Sequence, residues 1–111
     1  MEINRNQEFC TVVVIVQGKA EDIAEVRDHA AQGPELFSGF DGFIAGATHM
    51  SEDGGRIIQY LQWRSKADHE ACMAHPSWNE QESSRRFMEK MRGGALQVDV
   101  GIYDVIACAN R

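Results

Sequence analysis

The chain has 111 residues and a net charge of −6, with 25% charged and 43% hydrophobic residues. That is the size and composition of one globular domain, and residues 1–111 are read as a single domain. Arg85-Arg86 is the one adjacent basic pair and Glu80, Glu82 and Glu89 surround it, which excludes a nucleic-acid partner and disfavours an anionic membrane surface.

The first ten residues, MEINRNQEFC, lack a basic start leading into an apolar run, and Val12 to Val16 is too short to span a bilayer. A cytoplasmic protein without a membrane partner is expected. Three cysteines, Cys10, Cys72 and Cys108, make neither a disulfide framework nor a zinc site, so reduced thiols are expected.

Phe9 to Gln17 is β-branched and almost continuously apolar, which predicts a strand buried on both faces and ended by Gly18. Ala20 to Gln32 carries Ile23, Val26 and Ala30 at helical spacing. His29 falls on the charged side of that helix and is expected to be solvated. Gly33-Pro34 breaks the helix, and Glu35 to Phe37 continues it. Gly39 and Gly42 bracket the turn into a second strand, Phe43 to Met50. Ser51 to Gly55 is a hairpin connection whose Asp53-Gly54 supplies the backbone angles such turns need.

Arg56 to Arg64 is the third strand. Ser65, with Asp68 three residues on, caps a helix that stops at Ala74 before Pro76. Ser77 with Glu80 reads as a second capping box, opening a helix to Arg92 that Gly93-Gly94 ends. Leu96 to Ala107 alternates as a fourth strand, which would bring Cys108 near Cys10 across an antiparallel pair.

The order β-α-β-β-α-β predicts an α+β, ferredoxin-like fold with a four-stranded antiparallel sheet. Two helical segments cover one face of such a sheet. The first strand is apolar on both faces, and Ile58 and Tyr60 project away from the helices. A second copy laid sheet against sheet would cover that face, so a homodimer is expected, a dimeric α/β barrel with helices outside.

Gln59 and Trp63 share a strand face, because residues at even spacing project together. With Ile57 and Leu61 they should face the helices. An amide beside an indole in apolar surroundings can orient a flat aromatic molecule; packing alone would also account for Trp63. His69 shares its helix face with Cys72 and Met73 and should point back at the sheet, either as a proton-transfer group or as a histidine at the core's edge. His49 reads as exposed beside the hairpin, and His75, before Pro76, as structural. No two histidines share metal-ligand spacing on one helix face and no glycine-rich phosphate loop follows a strand, so no metal and no cofactor is expected.

Gly42-Phe43, His49, Ser51, Asp53-Gly54, Tyr60 and Gln62-Trp63 form a pattern that resembles the antibiotic biosynthesis monooxygenase family of dimeric α/β barrels, and is most similar to its quinone-forming members of the actinorhodin pathway. The similarity covers about Thr11 to Ile106. It implies a cofactor-free homodimer that oxidises a hydroxylated polycyclic aromatic, a phenol or anthrone, to a quinone with O2. It also implies Gln59 and Trp63 as site residues, donating N–H groups to substrate oxygens, and His69 as a proton acceptor. Several members have asparagine where this chain has Gln59, some have asparagine at about Val12, and relatives often carry an aromatic at His69. Two other readings stay open: a haem-degrading relative, and a non-catalytic or isomerase-like barrel that binds a small metabolite.

Overall fold

The structure is a computed structural model and describes residues 9–111. Strands β1 (Cys10–Gly18), β2 (Phe43–Met50), β3 (Arg56–Trp63) and β4 (Leu96–Tyr103) form one antiparallel sheet in the order β2-β3-β1-β4. Helices α1 (Ala20–Ala31), α2 (Gly33–Phe37), α3 (Lys66–Met73) and α4 (Glu82–Arg92) complete the ferredoxin-like α+β arrangement. Among the described residues no helix is long and apolar enough to cross a membrane.

Register decides which side chains meet the helices. Val12, Val14 and Val16 stand opposite Leu61, Gln59 and Ile57 of β3, and opposite Ile102, Val100 and Val98 of β4. Two core clusters grow on this face. One joins Val16, Ile57 and Leu96 to Ile23, Val26 and Ala30 of α1. The other joins Val12, Leu61 and Trp63 to Phe37 and Cys72. Val14 packs against both, so the rung Thr48–Gln59–Val14–Val100 lies between them. On the opposite face Ile58 is exposed, and Val13, Ile15 and Tyr60 are half-buried.

The hairpin and the first cap form as their sequences dictate. Gly54 takes φ +75°, and Asp53 Oδ1 accepts from Ser51 Oγ at 2.7 Å and from Gly55 N at 2.9 Å. At α3, Asp68 N donates to Ser65 Oγ at 3.1 Å, and Ser65 Oγ donates to Asp68 Oδ2 at 2.8 Å. Arg64 grips the same carboxylate through two contacts of 2.9 Å, which with the Ser65 bond holds the Asp68 carboxyl below its ordinary range.

Two expectations fail locally. Ser77 opens no α-helix: Pro76–Glu80 is a 3-10 turn, and α4 starts only at Glu82, after extended Gln81. His75 Nδ1 accepts from Ser77 N at 3.1 Å and shares a 2.7 Å hydrogen bond with Ser77 Oγ, so the hydroxyl is not free to cap. The fourth strand ends at Tyr103, the partner of Thr11, instead of continuing to Ala107. β1 begins at Cys10, and among the described residues β4 has no strand to pair with beyond it. Cys108 therefore lies past the ladder, exposed, and pairing does not carry it to Cys10; all three cysteines are free.

Candidate active site

Between the two clusters lies a cavity of about 340 Å3. Its floor is the rung of Gln59, Val14 and Val100, and its walls include Leu61, Phe37, Trp78 and Phe87. Met73 and Met91 line it and are also exposed, so they mark its mouth, where the Val100 end of the floor is exposed as well. Above it, α1 and α4 are tied by Lys90 Nζ, which lies 3.0 Å from Asp22 Oδ1 and 2.6 Å from Glu25 Oε2.

Gln59 is placed by a backbone defect. In an unbroken helix the Ala30 carbonyl would accept from the amide of residue 34, but Pro34 has no N–H. Gln59 Nε2 donates to Ala30 O at 3.1 Å, and Thr48 Oγ1 donates to the same oxygen at 3.2 Å. The atom facing a carbonyl must be the NH2, which fixes the amide's orientation. A Cβ on Gly33 would lie 2.5 Å from Nε2, so glycine there leaves room for the amide. Nε2 also lies 3.4 Å from Thr48 Oγ1. The N–H groups of Gln59 are thus engaged with protein. Oε1, an acceptor, has no protein partner among the described residues.

His69 lies on the cavity wall and is 6% exposed, and its Nδ1 is buried without a hydrogen-bond partner. Its ring sits 5.8 Å from that of Trp63. Burial pushes its pKa below the ordinary histidine value, against the opposing pull of Glu70. Trp63 itself is fully buried within an aromatic cluster, 6.1 Å from Phe37 and 5.2 Å from Phe43 between ring centroids. Its Nε1 is buried and unpaired, but Trp63 is not among the residues that line the cavity. Gln59 and His69 therefore share the cavity, and Trp63 backs His69.

Three lining residues escaped the sequence reading. His29 is not solvated: it is half-buried on the cavity wall, 5.9 Å from Phe87 between ring centroids, with Nδ1 buried and unpaired. Burial lowers its pKa. The signal was its spacing of three from Val26, which puts it at the edge of the buried stripe. Ser84 is 4% exposed and its Oγ has no partner. It lines the cavity with Phe87, Met88 and Met91, at the i, i+3, i+4, i+7 positions of one helix face, where a serine is out of place. Trp78 Nε1 donates to Cys72 O at 2.7 Å, closing the end of α3.

The arrangement is apolar in bulk, with one amide acceptor in the floor and imidazoles that burial keeps neutral in the walls. A neutral imidazole can accept a proton from a bound hydroxyl. His49 is exposed, and His75 is held by Ser77 and lies edge-on to Phe40. Among the described residues no group of three His, Cys, Asp or Glu side chains is placed to hold a metal ion. Burial raises the Cys72 thiol to about 11, which keeps it protonated.

No family model matches the chain. It is 36% identical over 75 residues to the tetracenomycin-F1 monooxygenase of Streptomyces glaucescens, an alignment covering 67% of each protein. Its fold matches SnoaB, a cofactor-independent oxygenase from Streptomyces nogalater, with a TM-score of 0.68 at 12% identity over 95% of this chain and 100% of the other. A candidate antibiotic biosynthesis monooxygenase from Deinococcus radiodurans superposes with a TM-score of 0.70 at 12% identity, over 92% of this chain and 97% of the other. With the sheet order and the strand-end Trp63 already in place, the chain belongs to the antibiotic biosynthesis monooxygenase family.

Proposed function

We propose that the chain is a cofactor-independent monooxygenase that oxidises a hydroxylated polycyclic aromatic to a quinone with O2. The observation that carries the reading is the cavity: apolar walls, an engaged Gln59 whose Oε1 is left as acceptor, and a neutral His69 imidazole with an unpaired nitrogen. The relative from Streptomyces glaucescens supports the reaction class, since it is a monooxygenase.

The chemistry follows from those groups. A phenol or anthrone lies over the Gln59–Val14–Val100 rung, with a hydroxyl donating to Gln59 Oε1. His69 takes one proton and leaves an electron-rich anion in a site of low water content. That anion reduces O2, and the two combine as a hydroperoxide on carbon. Loss of water from the hydroperoxide leaves one oxygen atom as the quinone carbonyl and releases the other in water. Trp63 holds the His69 ring from behind.

We further propose that two copies pair through the open sheet face around Ile58 and Tyr60. An apolar face of four strands without helices on it supports a second copy as its cover. Tyr60→Glu should lower the sedimentation coefficient from dimer to monomer; a native chain that sediments as a monomer at micromolar concentration removes the pairing.

The activity is tested by oxygen uptake with 1,8-dihydroxyanthrone in chelator-treated, flavin-free protein. One O2 consumed per quinone formed, with one atom of labelled oxygen in the quinone, is expected. No acceleration over buffer sinks the reading.

A further inference from the structure

Ser84 is a hydroxyl without a function in the fold. It sits in the first turn of α4, in line with Phe87, Met88 and Met91 on the cavity wall. Serines inside helices usually satisfy themselves by bonding the carbonyl three or four residues back. Here the chain upstream is not helical: Gln81 is extended, with φ −92° and ψ 128°, so the Glu80 carbonyl leaves the helix line. The Gln81 carbonyl accepts from Arg85 N at 3.1 Å. Ser84 Oγ is consequently buried with no partner, in a residue 4% exposed. Alanine would suit both the helix and the packing better, so the hydroxyl is retained at a stability penalty.

The neighbourhood says what would satisfy it. α1 and α4 run antiparallel over the cavity, with Asp22 and Glu25 against Lys90 and His29 against Phe87. Ser84 lies one turn further along α4 from Phe87. The chemistry facing the space from the walls is otherwise hydrocarbon and aromatic, apart from Gln59, His29 and His69. A ligand that fills it must be mostly apolar, and an oxygen substituent on that ligand would pair the hydroxyl.

We infer that Ser84 is a specificity-determining contact, whose hydroxyl hydrogen-bonds an oxygen substituent of a flat polycyclic ligand bound in the cavity. This rests on the reading of the cavity as a site for hydroxylated polycyclic aromatics. A site built to hydrogen-bond a substituent discriminates strongly against the analogue that lacks it, because its own polar group is then left unpaired.

The test is a ligand-by-variant comparison that involves no turnover. Binding of 1,8-dihydroxyanthraquinone, 2,6-dihydroxyanthraquinone and anthracene is followed by quenching of tryptophan fluorescence in native protein, Ser84→Ala and Ser84→Thr. Native protein should prefer at least one dihydroxyquinone over the bare hydrocarbon. Ser84→Ala should reduce that preference about tenfold, Ser84→Thr should restore most of it, and ligand-free Ser84→Ala should melt no lower than native. The inference is overturned if Ser84→Ala keeps the native preference, if native protein shows no preference or binds none of the three, or if ligand-free Ser84→Ala melts lower. Inertness toward phenols in air would remove the monooxygenase reading and leave this one standing; loss of the Ser84 dependence would do the reverse.

Discussion

The two sides of the cavity are built on different terms. Around α3 nearly every polar group has a protein partner: Ser65 with Asp68, Asp68 with Arg64, His75 with Ser77, Trp78 with Cys72. Around α1 and α4 the helices are held by aliphatic packing and the Lys90 ion pairs, while His29 and Ser84 keep unpaired polar atoms against the cavity. A side chain whose bonds are complete is there for the fold. One that is buried and incomplete is available to a ligand. His69 and Trp63 are the exceptions on the α3 side, and His69 lines the cavity while Trp63 lies behind it in the aromatic cluster with Phe37 and Phe43.

The largest expected effect tests the α3 side as architecture. Trp63→Ala empties the middle of an aromatic cluster and should cost about 3–5 kcal/mol, read from denaturant unfolding. Trp63→Phe keeps most of that packing and deletes an indole N–H that has no partner. If Trp63 also orients His69, Trp63→Phe should lower phenol turnover by more than it lowers stability. Unchanged turnover would make Trp63 core and nothing else.

Gln59 joins the two sides, and its loss should come next in size. Gln59→Leu removes one hydrogen bond from the Ala30 carbonyl, which keeps Thr48 and a backbone N–H at the helix end, and should destabilise by about 1–1.5 kcal/mol. Gly33→Ala attacks the same contact from the other partner, since its Cβ would meet Nε2. The two substitutions act on one hydrogen bond, so the double variant should lose less than the sum of the singles. Additive losses would mean that the amide and the Pro34 break are unconnected.

Legibility followed the same division. The Asp53-Gly54 turn and the Ser65–Asp68 cap are signals whose partners lie within a few residues, and each formed as read; the β1 run formed its strand from its own β-branched composition, with its second face left half-buried. Ser77–Glu80 carries the same cap signature and failed, because His75 and Pro76 are local competitors for the same atoms. The end of β4 failed because a strand needs a partner as well as an alternating pattern, and β1 stops at Cys10. Gln59 was found by its strand face, but the bond of its amide N–H to Ala30 was not, since that depends on a proline 25 positions earlier in the chain. His29 and Ser84 gave weak signals, each one polar residue at the margin or within an apolar stripe, and only the packing of α1 against α4 gives them meaning.

Acidification should report on the cavity histidines. Burial lowers the pKa of both His29 and His69 in the folded chain, whereas in the unfolded chain both titrate near about 6.5. Below about that pH the unfolded chain binds more protons than the folded one, so stability falls as pH falls; above it the two imidazoles add no slope. Melting temperatures at pH 7.5 and 5.5, in native protein and in His29→Gln with His69→Gln, separate this from carboxylate effects, which set in at lower pH. An equal drop in both proteins would assign the acid sensitivity elsewhere.

The smallest effects give the sharpest contrast, because two serines near helix starts should respond with opposite signs. Ser65 is a bonded cap, and Ser65→Ala should destabilise by about 0.5–2 kcal/mol. Ser84 sits two residues inside α4 with its hydroxyl unpaired. Ser84→Ala removes a buried donor that folding strips of water and puts the best helix former in its place, so it should stabilise by about 0.5 kcal/mol or more. Both are measured by chemical unfolding of the ligand-free protein. Two losses of similar size would mean that Ser84 is as fully bonded as Ser65, and the contrast between a closed α3 side and an open α1–α4 side would fall with it.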